Sequence, residues 1–222
     1  MLNSKEIKFC SFGVILLTVL NALNLAFGQP FWPITQIIYL GSDTNFPAWY
    51  SSILLVFAGL LAYECSCIAK KYNTQGHYPF LLFALLLFTM SMDEIARMHE
   101  VVGEYLSNKS GAVESGSSSN APWVYVGGPI VIIVFALFVY RLKGFLLLVP
   151  KSLTYLIAGF ACIIIGGVLL ESATNYLNHD NLSWLWDIEI VVEETLEMLG
   201  TIFIMMALVI WRDEILKRNS MS

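Results

Sequence analysis

Residues 79–100, PFLLFALLLFTMSMDEIARMHE, join a long apolar run directly to acidic and basic residues, with no turn between them. At a rise of 1.5 Å per residue, the run from Pro79 to Met92 covers about 21 Å of a hydrocarbon core that is roughly 30 Å thick. A helix that crosses a membrane here must therefore continue into Asp93, Glu94 and Arg97. The stretch predicts a transmembrane helix whose charged residues lie on one side of the bilayer midplane.

The rest of the chain is similarly apolar. Hydrophobic residues make up 57% of the 222 residues and charged residues 13%, and the mean hydropathy is +0.70. Soluble domains are far less apolar, so the composition predicts an integral membrane protein. Six stretches are long enough, or nearly so, for helices of about 20 residues that cross the bilayer. We expect one all-α domain over residues 1–222, a bundle of six transmembrane helices with spans at about 8–28, 49–69, 79–101, 123–140, 153–174 and 187–211.

The positions of lysine and arginine predict how this bundle is oriented. Short cytoplasmic connections retain positive residues, and ten of the twelve lysines and arginines lie near the two termini or in the connections after the second and fourth spans. We therefore expect both termini in the cytoplasm and the protein in a bacterial cytoplasmic (inner) membrane. The connection at 102–122 is rich in serine and glycine, and we expect it to be a mobile exterior loop.

Two further spans become acidic at a depth similar to that of the third. In the fifth span, the apolar run from 153 to 170 is followed by Glu171, and in the sixth, the run from 211 back to 198 is followed by Glu197. Glu193 lies one turn from Glu197 on the same helical face. The fifth and sixth helices thus each offer a polar face at the exterior end of the bundle.

The charged residues of the third span also share one face. At 100° per residue on a continuous helix, Asp93, Glu94, Arg97 and Glu100 fall within one arc of about 120°. Charged groups that face lipid cost several kcal/mol each, so these faces should turn inward and line a hydrated cavity. Arg97 and two histidines oppose eight acids there: Asp93, Glu94, Glu100, Glu171, Glu189, Glu193, Glu194 and Glu197.

So many neighbouring carboxylates favour either protonation or a bound cation. We therefore expect an outward-facing, acidic, cation-binding pocket between the third, fifth and sixth spans. The leading hypothesis is a metal site, because carboxylates from several helices together with histidine form carboxylate-bridged metal centres in helix bundles. The expected ligands are Asp93, Glu94, His99, Glu100, Glu171, His179, Glu193 and Glu197.

The cofactor would be a divalent or transition metal ion such as zinc, iron, manganese or calcium. The sequence lacks the Glu-x-x-His pattern of ferritin-like di-iron proteins, since Ala96 and Tyr176 stand three residues before the two histidines. A metal-dependent membrane enzyme that acts on a lipid-soluble or exterior substrate fits this site. Its candidate catalytic residues are Glu94, Arg97 and Glu197, with Arg97 placed to hold a carboxylate or phosphate group.

The same residues allow other interpretations. A proton- or cation-coupled transporter would use the same carboxylates, with Glu197 as the coupling residue. A non-catalytic subunit would pair its acids with a partner helix and would need no metal. Asp93 and Arg97 have the spacing of an ordinary i, i+4 ion pair. His99 would lie about 120° from Asp93 on a continuous helix, to one side of the pocket.

The expected partners are membrane lipid and either a lipid-soluble small molecule or a cation. The sequence carries no basic stripe of the kind that binds nucleic acid.

Overall fold

The computed structural model describes residues 3–42, 44–72, 76–109, 123–174 and 183–220. Over these residues the chain is helical and contains no β-strand, as the apolar runs predicted. Nine α-helices and one π-helical segment follow one another in the described chain: α1 (Ser4–Ala26), α2 (Trp32–Ile38), α3 (Phe46–Lys71), α4 (His77–Ala96), α5 (Met98–Lys109), α6 (Val124–Leu146), α7 (Pro150–Ile164), the π-helix (Ile165–Leu170), α8 (Glu171–Thr174) and α9 (Ser183–Ser220).

Six helical stretches of the described chain are long and apolar enough to cross a membrane. This confirms the prediction of an all-α chain with six helices that are long and apolar enough to span a membrane. The fifth stretch is composite, because α7, the π-helix and α8 follow one another without a loop. The short helices α2 and α5 lie in the connections after α1 and α4. The orientation of the bundle in the membrane stays a prediction.

The helix boundaries differ from the predicted ones where apolarity alone is a poor guide. α9 extends beyond the expected span 187–211 at both ends, and its last turn carries Lys217 and Arg218, which suit the negative end of the helix dipole. α4 ends at Ala96, so the expected span 79–101 is too long at its end. Residues 102–109 of the expected exterior loop belong to α5, and residues 110–122 lie outside the described residues.

α3 and α9 form the centre of the bundle. In each of them 56% of the apolar, membrane-crossing stretch is buried inside the protein, against 17% in α6. α7 packs closely against α9 because Gly159 meets Gly200, where a Cβ on either glycine would lie 2.7 Å from the carbonyl oxygen of the other. Small residues at such crossings let helix backbones approach in membranes. This contact fixes the fifth span against α9, and these two elements carry Glu171 and Glu197.

The two ends of the bundle are built differently. We call the end that carries both chain termini the terminal end, and the opposite end, which carries α2, α5 and α8, the pocket end. At the terminal end, Arg212 is only 4% exposed and donates hydrogen bonds to Glu64 at 3.0 Å and to Asp213 at 2.8 Å. Trp211 donates its Nε1–H to the Phe145 carbonyl oxygen at 3.1 Å. The buried Arg212 guanidinium and the Trp211 N–H are therefore both paired at this end.

Candidate functional site

A cavity of about 390 Å³ lies at the pocket end, between α3, α4, α6, the fifth span and α9. Its apolar lining comes from α3, α4, α6 and α7. Its charged lining comes from both sides of the α4–α5 junction, from α8 and from α9. Of the eight predicted acids, only Glu189 is absent from the described lining. The charged residues that line the cavity are Asp93, Glu94, Arg97, His99, Glu100, Glu171, Glu193, Glu194 and Glu197.

The break between α4 and α5 determines how the first of these side chains are placed. Arg97 adopts a left-handed conformation with φ 52° and ψ 38°, and its N–H donates to the Asp93 carbonyl oxygen at 2.7 Å. A left-handed backbone costs a non-glycine residue on the order of 1–2 kcal/mol, so surrounding contacts must stabilise it. The prediction of one continuous helix through Val101 is therefore wrong, because the chain turns at Arg97.

The turn brings His99 back onto Asp93. The His99 backbone N–H donates to Asp93 Oδ1 at 2.9 Å, and His99 Nδ1 lies 2.6 Å from Asp93 Oδ2. Because a carboxylate oxygen can only accept, Nδ1 carries the proton in this contact. Burial opposes the imidazolium form, but the hydrogen bond and charge of Asp93 outweigh it and raise the pKa of His99. The remaining ring nitrogen, Nε2, lies 4.0 Å from Glu100 Oε1.

Trp123 connects this turn to the fifth span. Its Nε1–H donates to Glu171 Oε1 at 2.7 Å, and its ring meets the His99 ring edge-on with 4.7 Å between the centroids. Trp123 is not among the residues that the sequence predicted for the site. The available signal was its polar N–H, because a buried indole N–H needs a hydrogen-bond acceptor.

Arg97 lies at the rim of the cavity. Its side chain is 45% exposed and pairs with the Glu100 carboxylate three residues later. The ordinary pairing of Asp93 with Arg97, which their i, i+4 spacing allowed, is replaced in the structure by two other pairs. Asp93 holds His99, and Glu100 holds Arg97. The turn at Arg97 causes this exchange, because it takes Arg97 off the face that it would share with Asp93.

The opposite wall of the cavity is formed where α9 passes the π-helix. A Cβ at Gly166 would lie 2.9 Å from the Glu193 carbonyl oxygen and 3.1 Å from Glu197 Cγ, and a Cβ at Gly167 would overlap the Glu197 carboxylate. The two glycines thus make room for Glu197 against the fifth span. π-helical turns inside α-helices occur frequently at functional sites. This π-helix was not predicted from the sequence, although two adjacent glycines in a membrane span indicate a close approach of two helices.

The rest of the cavity lining is mainly apolar and comes chiefly from α3, α4, α6 and the fifth span. It also includes Ser42, Ser51 and Thr201. Phe135, which lines the cavity, is stacked on Phe160 of α7 with 4.2 Å between the ring centroids. The apolar lining consists of Leu40, Ala48, Leu55, Leu86, Met90, Ile130, Val131, Val134, Phe135, Ile163 and Val168.

The predicted metal ligands can be compared with this arrangement. Seven of them line the cavity, whereas His179 lies outside the described residues. Among the described residues, no three His, Cys, Asp or Glu side chains are gathered closely enough to hold one metal ion. Asp93 and Glu100 are engaged with His99 and Arg97. A metal ion would therefore require rotation of further carboxylates toward a common point.

The sequence from residue 9 to residue 211 matches the family described as a domain of unknown function (DUF8692). The match covers most of the chain, and the protein belongs to this family. No curated protein and no solved structure matches the sequence.

Proposed function

We propose that this protein is a membrane enzyme that binds a metal cation in the pocket and acts there on a lipid-soluble molecule. The observation that carries the proposal is the composition of one cavity. Carboxylates from both sides of the α4–α5 junction, from α8 and from α9 line it together with His99, while its remaining wall is mainly apolar. We further propose that the pocket faces the exterior of a bacterial cytoplasmic membrane and that both termini are cytoplasmic, as the lysine and arginine distribution favours.

The Asp93–His99 pair supports the metal assignment. Proteins commonly orient a metal-binding histidine by bonding its other ring nitrogen to a carboxylate. Asp93 accepts a hydrogen bond from His99 Nδ1–H in this way, so Nε2 is the atom of His99 that would bind the metal ion. Glu193 and Glu197, one turn apart on α9, would supply carboxylate oxygens, and Glu171 would supply another from across the cavity. Oxygen and imidazole ligands suit zinc, iron or manganese, and an all-oxygen set suits calcium.

The chain also supplies groups for proton transfer and substrate placement. When bound, the metal ion would polarise a substrate oxygen or activate water. Glu94 lines the same cavity and would accept or donate a proton at the reacting atom. Arg97, at the rim, would orient a polar substrate group, because its guanidinium presents several donors in a fixed plane. Trp123 holds Glu171 and packs on His99, so it would keep both groups in position.

Elemental analysis of detergent-purified protein, never exposed to chelator, tests the metal. We expect about one or two equivalents of metal in the parent protein and none in the Glu193→Gln/Glu197→Gln double variant. Glu104→Gln is the matched control, because Glu104 is exposed on α5 at the same end of the bundle and does not line the cavity. A parent protein that stays free of metal after incubation with zinc, manganese, iron and calcium would contradict the proposal, as would full metal content in the double variant.

Ion-coupled transport is the second candidate, and the π-helix beside Glu197 favours it. A π-helical turn can revert to α-helical register, and that change would move the wall against which Glu197 lies. Proteoliposomes that contain a pH-sensitive dye would report proton flux. Under this alternative, flux in the parent is lost in Glu197→Gln and kept in Glu104→Gln. If the parent carries no flux above that of empty liposomes under an imposed potential, proton transport is excluded.

A further inference from the structure

We infer that the substrate of this pocket is a single-chain lipid whose head is uncharged or cationic and donates hydrogen bonds, such as a long-chain alcohol or amine. It would enter from the bilayer between α4 and α6. This inference rests on the proposed function, since it names the substrate class of the same site. It is drawn from three observations: the charge of the polar part of the cavity, the size of the apolar part, and the packing of α6.

The charge of the cavity selects the head group. Seven carboxylates line it, against Arg97 and His99. Both of those bases already have acidic partners, since Arg97 pairs with Glu100 and His99 with Asp93. An anionic head would therefore meet more acidic groups than basic ones, which disfavours its binding in a partly desolvated site. A hydroxyl or an amine can instead donate a proton to a carboxylate oxygen.

The size of the cavity selects the tail. Its volume of about 390 Å³ is near the lower limit for ligand-binding clefts, which measure roughly 300–1,000 Å³. A phospholipid with two acyl chains would not fit inside, whereas one chain would. Leu86 and Met90 of α4 would contact the chain on one side and Val134 of α6 on the other, with Ile163 of α7 behind it. An apolar wall of this kind distinguishes poorly between lipids of different chain length, because one methylene group changes the affinity by only about 10- to 200-fold.

The packing of α6 provides the entrance. Toward the terminal end, α6 is tied to α4 by ring contacts, with 5.3 Å between the centroids of Phe83 and Phe138 and 6.4 Å between those of Phe80 and Phe145. Toward the pocket end, α6 passes through Gly127, Gly128 and Pro129, and proline inside a helix removes a backbone hydrogen bond. Ile130 follows directly, is 56% exposed and lines the cavity. This half of α6 is therefore the wall that can separate from α4.

Photolabelling in lipid nanodiscs tests the inference with three defined probes. They share one chain that carries a diazirine and differ in their heads, which are an alcohol, a primary amine and a carboxylic acid. Labelled residues are then mapped by mass spectrometry. We expect the alcohol or the amine to label the apolar wall at Leu86, Met90, Val134 or Ile163. The acid should label it at least about tenfold less, because of the like charge. The ratio of alcohol to amine labelling distinguishes the two heads.

Two variants of neighbouring residues provide the structural control. Val134→Trp fills the tail region and should reduce labelling of the wall about tenfold. Ile133→Trp adds the same bulk on the same helix at a position that is 67% exposed and does not line the cavity, so it should leave labelling unchanged. In the parent protein, an excess of the same alcohol or amine without a diazirine should compete for the wall. This competition does not depend on the folding of either variant.

Equal labelling of the wall by the acid would overturn the inference. So would labelling confined to lipid-facing positions such as Ile133, or labelling that excess unlabelled probe does not reduce. Metal content measured on the same samples separates the two proposals. If the parent binds metal but the wall is not labelled, the substrate class is wrong and the metal site stands. If the wall is labelled but no metal binds, the pocket takes such a lipid and the metal-dependent function is wrong.

Discussion

At the terminal end, Arg212 is buried in a bundle that crosses a membrane, and Glu64 and Asp213 both accept its hydrogen bonds. At the pocket end, seven carboxylates surround a cavity with one arginine and one histidine among the described residues. Both ends place charge where burial is costly. At the terminal end the charge is neutralised within the protein, which favours a structural role. At the pocket end an excess of one sign remains, and that excess favours a ligand of opposite or neutral charge.

The largest effect that this comparison predicts comes from breaking the Arg212–Glu64 ion pair at the terminal end. Arg212→Ala leaves Glu64 buried without its counterion, and removal of one partner of a buried ion pair costs about 3–5 kcal/mol. We expect the free energy of unfolding, measured by titration with sodium dodecyl sulfate in mixed micelles, to fall by about that amount. The Glu64→Gln/Arg212→Met double variant should regain most of the loss. If the single variant unfolds like the parent, the terminal end is not held by this ion pair.

A methyl group at Gly167 should disturb the pocket end. Gly167→Ala would force the Glu197 carboxylate away from the π-helix, and the strain should destabilise the protein by about 1–3 kcal/mol. The variant should also lose bound metal, because Glu197 is displaced. Gly144→Ala is the control, because nothing lies within 4 Å of a Cβ at Gly144 in α6. There the same change should be neutral or stabilise by about 0.5–1 kcal/mol. Equal melting temperatures for the two variants would show that Glu197 does not lie against Gly167.

Glu197→Gln should sharpen the comparison, because its effect should depend on the ligand. In the presence of chelator, crowded carboxylates favour protonation, and glutamine resembles a protonated glutamate, so we expect the stability to stay within about 0.5 kcal/mol of the parent. With metal present, the parent gains stability from binding and the variant does not. Thermal unfolding with and without chelator measures both states. A variant that is less stable than the parent in chelator would show that Glu197 is paired within the protein, as Arg212 is.

The smallest predicted effect concerns pH and the Asp93–His99 pair. Asp93 raises the pKa of His99 above its ordinary value of about 6.5, so the pair stabilises the folded state fully below that pH. The contribution is lost as the pH rises through the higher, folded-state pKa. In chelator, we expect His99→Gln to melt about 1–2 °C below the parent near pH 6 and at the same temperature near pH 9, a small difference because His99 is partly exposed. A difference that grows with pH would contradict this pairing.

Much of this architecture could be predicted from the sequence because it depends on long apolar runs. The six spans follow from runs that only a bilayer accommodates, and the inward position of Glu171, Glu193 and Glu197 follows from the cost of exposing carboxylates to lipid. These inferences need only composition and helical periodicity. The chemistry performed in the pocket depends on the relative placement of a few atoms, and periodicity does not determine that placement.

The details that were missed all depend on departures from a regular α-helix. Arg97 has no sequence signal for a left-handed conformation, which glycine or asparagine normally adopts. The continuous helix therefore placed His99 to one side of the pocket, whereas the turn brings it onto Asp93. The π-helix before Glu171 likewise gave no signal beyond its two glycines. Trp123 was not predicted for the site, because tryptophan is common at membrane interfaces, although its N–H donates a hydrogen bond to Glu171.

The length of α9 has a mechanical consequence. Its 38 residues rise about 57 Å, nearly twice the thickness of a hydrocarbon core of roughly 30 Å. α9 therefore tilts or projects into water, and an unbroken helix over this length behaves as a stiff rod. Glu193 and Glu197 lie on it at one end of the bundle, and Arg212 and Arg218 lie on it at the other. If a ligand in the cavity rotates α9, Arg212 and Arg218 at the opposite end of the bundle therefore move with it directly, and no other helix is needed to transmit the movement.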